Sequence, residues 1–423
     1  MTRSATSEKR YLVGTHRVCA PEDTLARWEP EASRFGITRI ADVTDLDVIG
    51  IPVYQAIRPN ARSLSVSQGK GVTHAAAKVS ALMEAAELWH AEHHEVPMVR
   101  ASARDLGARV GSADGGARVG SGDGGARATV ADLDRLPQRG EARLAASTTL
   151  LWVEGEDLAG GGPVWVPEQL VGMDVTLRPE GGSAQLSGST TGLASGNTFH
   201  EAVLSALLEV IERDAFRLGT HREAWLDPSR RIDPASIDEP TCRTLVDTIE
   251  AAGVVIALVD MTSDLGVPTV ACFLTDRDRN PFRVLPLTLG SGCHPSPAVA
   301  ASRALTEAAQ SRLTVIAGSR DDLTAADYGH KRWSAEAGKA RDELLAAATR
   351  ASLDALPGYA SDTVDGDVDA TLERLRARGI DRAVVVDLTI ARIGMPVVKV
   401  VVPGLEAMET FTRPGSRARA ALS

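Results

Sequence analysis

The chain has 423 residues, 43% of them hydrophobic and 4% aromatic, and a formal net charge of −10. That length accommodates one large domain or two medium ones, while the acidity and the scarcity of aromatics argue against nonspecific nucleic-acid binding and base-stacking platforms. Cys19, Cys242, Cys272 and Cys293 form no CxxC pair, so neither a disulfide framework nor a zinc site is expected and a reducing cytoplasm fits; the N-terminus MTRSATSEKR lacks a signal-peptide core, and no apolar run is long enough to span a membrane.

In chain order, residues 1–36 form an N-terminal segment. A capped helix start is expected over 15–29, with Pro21-Glu22-Asp23-Thr24 near its entry. Residues 37–59, ITRIADVTDLDVIGIPVYQAIRP, are β-branched and broken at Gly50–Pro52, which predicts two strands. Asp42-Val43-Thr44 leading to Gly50-Ile51-Pro52 recurs as Asp260-Met261-Thr262 leading to Gly266-Val267-Pro268. It recurs again as Asp387-Leu388-Thr389 leading to Gly394-Met395-Pro396. Turns select Asp, Thr, Gly and Pro, so chance turn chemistry is one reading. An internally repeated α/β core is the other.

Residues 65–92, SVSQGKGVTHAAAKVSALMEAAELWHAE, set Lys70 between glycines before a long helix. The upstream Gly and following Ser/Thr of a P-loop are absent. A phosphate contact and a solvated lysine both stay open. His90, His93 and His94 read as polar surface rather than metal ligands. Over 103–142 the composition changes. GARVGSADG (107–115) repeats at once as GARVGSGDG (116–124), and this Gly-rich stretch is expected to be a mobile insertion. Strands follow within 145–175, then the small-residue loop GSTTGLASGN (188–197). Residues 195–220 form the central predicted helix, with Thr198 as N-cap. Within 233–330 come a helix, two strands and GSGCHPSPAVAASRALTEAAQSR. There Cys293-His294 is placed in a loop, with no orienting third group for nucleophilic catalysis. A helix over 368–380, strands over 383–402 and a loose basic tail (406–423) complete the chain.

Three helices carry the same polar stripe: Ser80, Glu84 and Glu87; Ser205, Glu209 and Glu212; Arg303, Glu307 and Gln310. Residues at this spacing share one helix face. Glu201 joins the central stripe, and Leu204, Leu207, Leu208 and Ile211 flank it. Carboxylates beside apolar residues are costly unless paired or bound to a cation. Convergence of the stripes on Mg²⁺, which prefers oxygen and usually arrives with phosphates, is therefore favoured over three solvated faces. The predicted fold class is mixed α/β, strands alternating with three acid-bearing helices.

SVSQGKG…SALMEAAE, TGLASGNTFHEAVLSALLEVIERDA, PSPAVAASRALTEAAQSR and GMPVVKVVVPGLE resemble the YcaO superfamily over about residues 37–405. The resemblance implies a YcaO-type catalytic domain over 37–405, to whose nucleotide site residues 1–36 contribute. It implies ATP and Mg²⁺ as cofactors, activation of a peptide backbone amide, and a homodimer. Residue by residue, it puts Ser80, Glu84, Glu87, Asn197, Glu201, Glu209, Glu212, Arg213, Arg303, Glu307 and Gln310 at nucleotide and Mg²⁺. Arg17 and Thr24 look like the family's N-terminal Lys and Ser phosphate contacts. On this reading Glu84, Glu87, Glu201, Glu209 and Glu212 ligate metal, while Arg213, Arg303 and Lys70 contact phosphate. Glu209, Glu212, Arg213 and Gln310 are the expected catalytic group. GTHRV…ITRIADVTDLDVIGIPV…RP…SVSQGKG, with an end lacking alternating prolines, looks most like members that install thioamides beside TfuA-type partners. An azoline or amidine former, or a non-catalytic accessory protein, is the alternative.

Overall fold

The computed structural model describes residues 7–111, 128–176, 182–278, 285–324, 335–408 and 411–422. Its first half runs α1 (Pro21–Trp28), β1 (Arg39–Asp42), β2 (Val53–Ile57), β3 (Val66–Lys70), α2 (His74–Glu92), β4 (Met98–Ser102), α3 (Ala103–Gly111), β5 (Thr129–Val130), β6 (Thr149–Asp157), β7 (Gly162–Pro167) and β8 (Leu193–Ser195). Then follow α4 (Phe199–His221), β9 (Arg231–Ile232), α5 (Pro240–Ala251), β10 (Val254–Asp260), β11 (Thr269–Asp276), β12 (Thr288–Cys293) and α6 (Pro297–Ala317). Past a helix at Val364–Arg376, β13 (Val384–Asp387) and β14 (Val397–Val401) lead to a last helix at Ser416–Leu422.

The recurrent Asp-x-Thr…Gly-x-Pro segments are three copies of one hairpin. In each, Asp Oδ1 accepts the backbone N–H of the Thr two residues on: Asp42 from Thr44, Asp260 from Thr262, Asp387 from Thr389. In each, the Thr hydroxyl accepts the N–H that opens the return strand: Val53 at 3.1 Å, Thr269 at 3.1 Å, Val397 at 3.3 Å. Gly50, Gly266 and Gly394 all sit at positive φ (78°, 67° and 75°), a conformation that costs other residues a strained backbone.

Each hairpin carries a third antiparallel strand that leads into an acid-bearing helix. The units are β1-β2-β3 with α2, β10-β11-β12 with α6, and β13-β14-β8 with α4. The last unit is assembled out of sequence order. Its strand β8 and helix α4 come mid-chain, and its hairpin is supplied almost two hundred residues later. In the same sheet, β13 continues into β6, β7 and β5, with β4 on β6.

Each apolar core backs one layer. Trp152, Val153, Val164 and Val166 of β6 and β7 pack with Leu82, Ala85 and Leu88 of α2. Leu204, Leu207, Leu208 and Ile211 of α4 pack on Val398 and Val400 of β14 and on the helix Val364–Arg376. A third core joins α5, α6 and β10–β11.

Three expectations change here. The helix expected over 15–29 begins at Pro21; before it, Tyr11 and Arg17 pair across a tight loop. The segment read as insertion contains core residues at both ends, since Leu106, Ala131, Leu133 and Leu136 are buried. Most of the duplication itself, 112–124, lies outside the described residues. The tail is not loose. Glu406 accepts from Gly415 N and Ala418 N, and Arg417 makes paired hydrogen bonds to Asp214 of α4 (2.9 Å each).

Candidate active site

The three helices close into a ring. Besides its own sheet, α2 packs on β8, α4 on β12 and α6 on β3, so each helix meets the third strand of the next unit. Within a unit the third strand lies close on its own helix, which needs small residues: a Cβ added to Gly69 of β3 would lie 1.9 Å from Ala81 N of α2, and one on Gly290 of β12 would lie 2.1 Å from Ala308 N of α6. Between such small residues each strand carries one polar side chain, and it reaches the neighbouring helix. Ser195 Oγ donates to Glu87 Oε1 (2.7 Å) and Ser291 Oγ to Glu212 Oε1 (2.7 Å). Lys70 Nζ pairs with Glu307 Oε2 at 2.6 Å.

The third contact departs from the other two. Its helix has Gln310 where the others have Glu87 and Glu212, and its strand has Lys70 where the others have serine. The longer side chain ends on Glu307, the middle residue of the stripe. At one corner of the ring the strand thus supplies a cation, and at the other two it supplies a serine hydroxyl.

Charge follows that arrangement. Burial pushes Glu84 up to about 7, with repulsion from Glu209 adding and Lys70 and Arg320 opposing. Burial pushes Glu87 up to about 8, and Glu84 and Glu209 add to it. Burial also raises Glu212 against the pull of Arg213. Glu307 is the contrast: despite burial, Lys70 and Arg213 hold it below the usual carboxylate range. Arg213 Nη1 lies 3.3 Å from Glu212 Oε1 and Nη2 lies 3.4 Å from Glu209 Oε1. The second oxygen of Glu209 accepts from Gly192 N (3.1 Å). Protonation-prone carboxyls on α2, facing Glu209 with oxygen donors alone, fit a hard divalent cation.

A cleft of about 260 Å³ opens against α2. Ser80, Glu84, Glu87, Asn197, Glu201 and Arg303 line it, with Arg17, Thr24 and Lys70, while Val13, Val72, Val79 and Met83 give it an apolar side. The N-terminal segment is tied in: Arg17 Nη1 donates to Ser205 Oγ (3.1 Å) and Thr24 Oγ1 to Asn197 Oδ1 (3.1 Å). Glu201, expected as a metal ligand, gives its two oxygens to Val18 N (2.6 Å) and Asn197 N (2.7 Å). It clamps the N-terminal segment onto the entry of α4. Glu209, Glu212, Arg213 and Glu307 extend the acidic ring beyond the cleft. Gln310 is half-buried on α6, outside the cleft lining.

Sequence reasoning missed Ser195, Ser291 and Arg320. Two further readings also change. His90 is fully buried with Nδ1 2.7 Å from Ala86 O, and burial pushes it down to about 4. Cys293 ends β12 rather than lying in a loop, and burial raises its thiol pKa. Its neighbour His294 meets His16 edge-on, centroids 4.9 Å apart, beside Asp367. Lys9 Nζ, 2.6 Å from Asp367 Oδ2, already supplies a cation there.

The family model described as "YcaO cyclodehydratase, ATP-ad Mg2+-binding" matches residues 68–406. The chain belongs to the YcaO family. ATP and Mg²⁺ are its cofactors. A protein of Rhizobium leguminosarum bv. trifolii, described by its place in the tfuA 3′ region, is 38% identical over 92% of this chain and 88% of its own. A protein of Methanothermobacter thermautotrophicus is 36% identical over 95% of this chain and 98% of its own. The solved YcaO structure from Methanopyrus kandleri, bound with AMPPCP and Mg²⁺, matches with TM-score 0.70 and 25% identity over 94% of each chain. A heterocyclase solved in complex with substrate and cofactor matches in fold, with TM-score 0.73 and 24% identity. This YcaO chain spans about half of that protein, 54% of its length. Among the described residues no helix is long and apolar enough to cross a membrane.

Proposed function

We propose that this YcaO protein activates a peptide backbone amide with ATP and, beside a TfuA-like partner, converts it to a thioamide. The ring of carboxylates with Arg213 and Arg303 supports the activation step, because phosphoryl transfer is mostly positioning and charge neutralisation. Glu84, Glu87, Glu209 and Glu212 are the proposed Mg²⁺ ligands. Arg17, Lys70 and Arg303 are the proposed phosphate contacts, with Thr24, Ser80 and Asn197 shaping the nucleotide cleft. Mg²⁺, when bound, neutralises charge on the phosphates. Lys70 holds Glu307 ionised, and Arg213 sits between Glu209 and Glu212, poised to offset negative charge on the amide oxygen. Gln310 is proposed to contact the nucleotide after a side-chain rotation.

Hydrosulfide attacks the carbonyl carbon, the resulting oxyanion takes the γ-phosphoryl group and releases ADP, and loss of inorganic phosphate and a proton leaves C=S. The observation that carries sulfide over an internal nucleophile is the 38%-identical relative in the tfuA 3′ region. The family description favours a second reading, cyclodehydration by a Cys, Ser or Thr side chain of the peptide.

Intact-mass analysis decides between them. A candidate peptide is incubated with this protein, MgATP, a TfuA-like protein and a sulfide source. A gain matching exchange of oxygen for sulfur is expected. Loss of water would replace the thioamide reading by cyclodehydration, and absence of both ATP binding and product would remove the enzyme reading.

A further inference from the structure

Away from the ring, a cleft of about 180 Å³ lies between the turn Leu133–Arg135 and the stretches 404–407 and 412–419. It is lined by Arg135, Arg143, Arg413 and Arg419. Arg139 stands beside it, bridged through its backbone to Thr412, with its guanidinium 4.3 Å over the ring of Phe411. Five arginines gather here on a chain whose net charge is −10.

Both acids in the cleft lining are already engaged. Asp134 pairs with Arg143 at 2.9 Å, and Glu406 gives both oxygens to Gly415 N and Ala418 N. Arg413 donates to Glu141 O and Gln138 Oε1, and Arg419 donates to Pro414 O. The side chains of Arg135 and Arg139 are exposed and have no hydrogen-bonding or ionic partner among the described residues. Two unspent guanidinium forks match carboxylates in geometry as well as charge. Phe411, 55% exposed, adds an apolar surface beside them.

The position of the cleft indicates which anion it takes. Its wall at Gly404–Ala407 continues directly to Met408, whose Sδ lies 3.7 Å from Arg213 Nη1 in the acidic ring. A polypeptide held in the cleft has its neighbouring residues within a few residues' reach of the ring. We infer that this arginine cleft docks an acidic segment of the peptide substrate and so delivers the adjoining amide to the site. The inference rests on the reading that the chain acts on a peptide, but binding can be measured without turnover.

The test is fluorescence anisotropy with the full chain. The probes are a fluorescein-labelled Glu-rich peptide, its Gln-substituted isostere and a labelled single-stranded DNA oligonucleotide. The Glu-rich peptide is expected to bind at least about tenfold more tightly than the isostere, and more weakly as salt is added. In R135E/R139E that margin is expected to vanish. R135Q/R139Q, which adds no repulsion, is expected to lose most of it, and thermal melting monitors the fold of both. Equal binding of the isostere, or an unchanged margin in both variants, would overturn the proposal. So would an oligonucleotide that binds more tightly than the peptide and is lost in the same variants. A chain that docks the peptide here yet modifies none would overturn the proposed reaction and leave the docking surface standing.

Discussion

Glu209 and Glu212 occupy matched places on one turn of α4, yet they are held differently. Glu212 is buried and accepts from Ser291 Oγ, while Glu209 faces Glu84 and accepts from Gly192 N. Glu209→Ala and Glu212→Ala should each lower ATP-dependent turnover by at least about a hundredfold, the scale of losing one preorganised charge contact. ADP release measures this, with circular dichroism confirming the fold; near-native turnover in either variant would remove that residue from the site. The pH response belongs to the same scale. Glu84 and Glu87, pushed up to about 7 and about 8, must shed protons to ligate a cation. Their folded pKa values lie above the ordinary 4.5. Protonation therefore stabilises the metal-free fold fully below about pH 4.5, and that contribution is lost as pH rises through about 8. Mg²⁺ selects the deprotonated form, so the affinity for MgAMPPCP should rise about tenfold or more per unit below about pH 7 and level off above about 8. Calorimetry in two buffers of different ionisation enthalpy should show net proton release; a flat affinity with no release would contradict both shifts. These glutamates were legible because helical spacing marks a stripe. Ser195 and Ser291 were not, since one serine in a strand has no periodic signature. Aligning GKGV, ASGN and GSGC as internal repeats would have exposed them.

At the scale of elements, the repeat unit is set by a hairpin whose turn chemistry is written in the sequence and by a strand–helix contact that is not. The Asp-x-Thr…Gly-x-Pro spacing announced three hairpins, and all three form with the same hydrogen bonds. Nothing in that spacing shows that β8 and α4 pair with a hairpin far downstream, because β pairing depends on contacts remote in sequence. The glycines facing the helices carry the close approach. Gly290→Ala would drive a Cβ to 2.1 Å from Ala308 N and 2.4 Å from Ala304 O, both backbone atoms that cannot swing aside. The expected loss is about 3 kcal/mol or more, the upper range for overpacking. Gly253→Ala is the control, with φ of 74° and no atom within 4 Å of the added Cβ. It should cost only the left-handed backbone penalty, about 1 kcal/mol. Urea melts of the two variants compare them directly; equal losses would show that strand–helix spacing is not what Gly290 protects.

At the scale of the whole molecule, the end of the chain closes the ring. Arg417 binds Asp214 of α4 through Nε and Nη2 at 2.9 Å each, and reaches Asp264, between β10 and β11, at 2.7 Å. Asp214 also accepts from Glu406 N (2.9 Å), just past β14. One side chain therefore joins the helix of one unit to the hairpin turn of another. Composition alone read this segment as a loose basic tail, because a buried aspartate far upstream cannot be paired with an arginine by local pattern. Asp214 has no exposed surface. Removing its partner strands a buried carboxylate, which typically costs about 3–5 kcal/mol. Arg417→Met should lower stability by that amount and, by loosening the segment that carries Met408 to Arg213, reduce kcat more than it raises the KM for ATP. Asp214→Asn combined with Arg417→Met removes the stranded charge and should recover much of the stability. It should not recover kcat if the latch positions Arg213. Recovery of both together would mean that the pair serves folding alone, and a fully stable Arg417→Met would mean that the tail is not part of the closure.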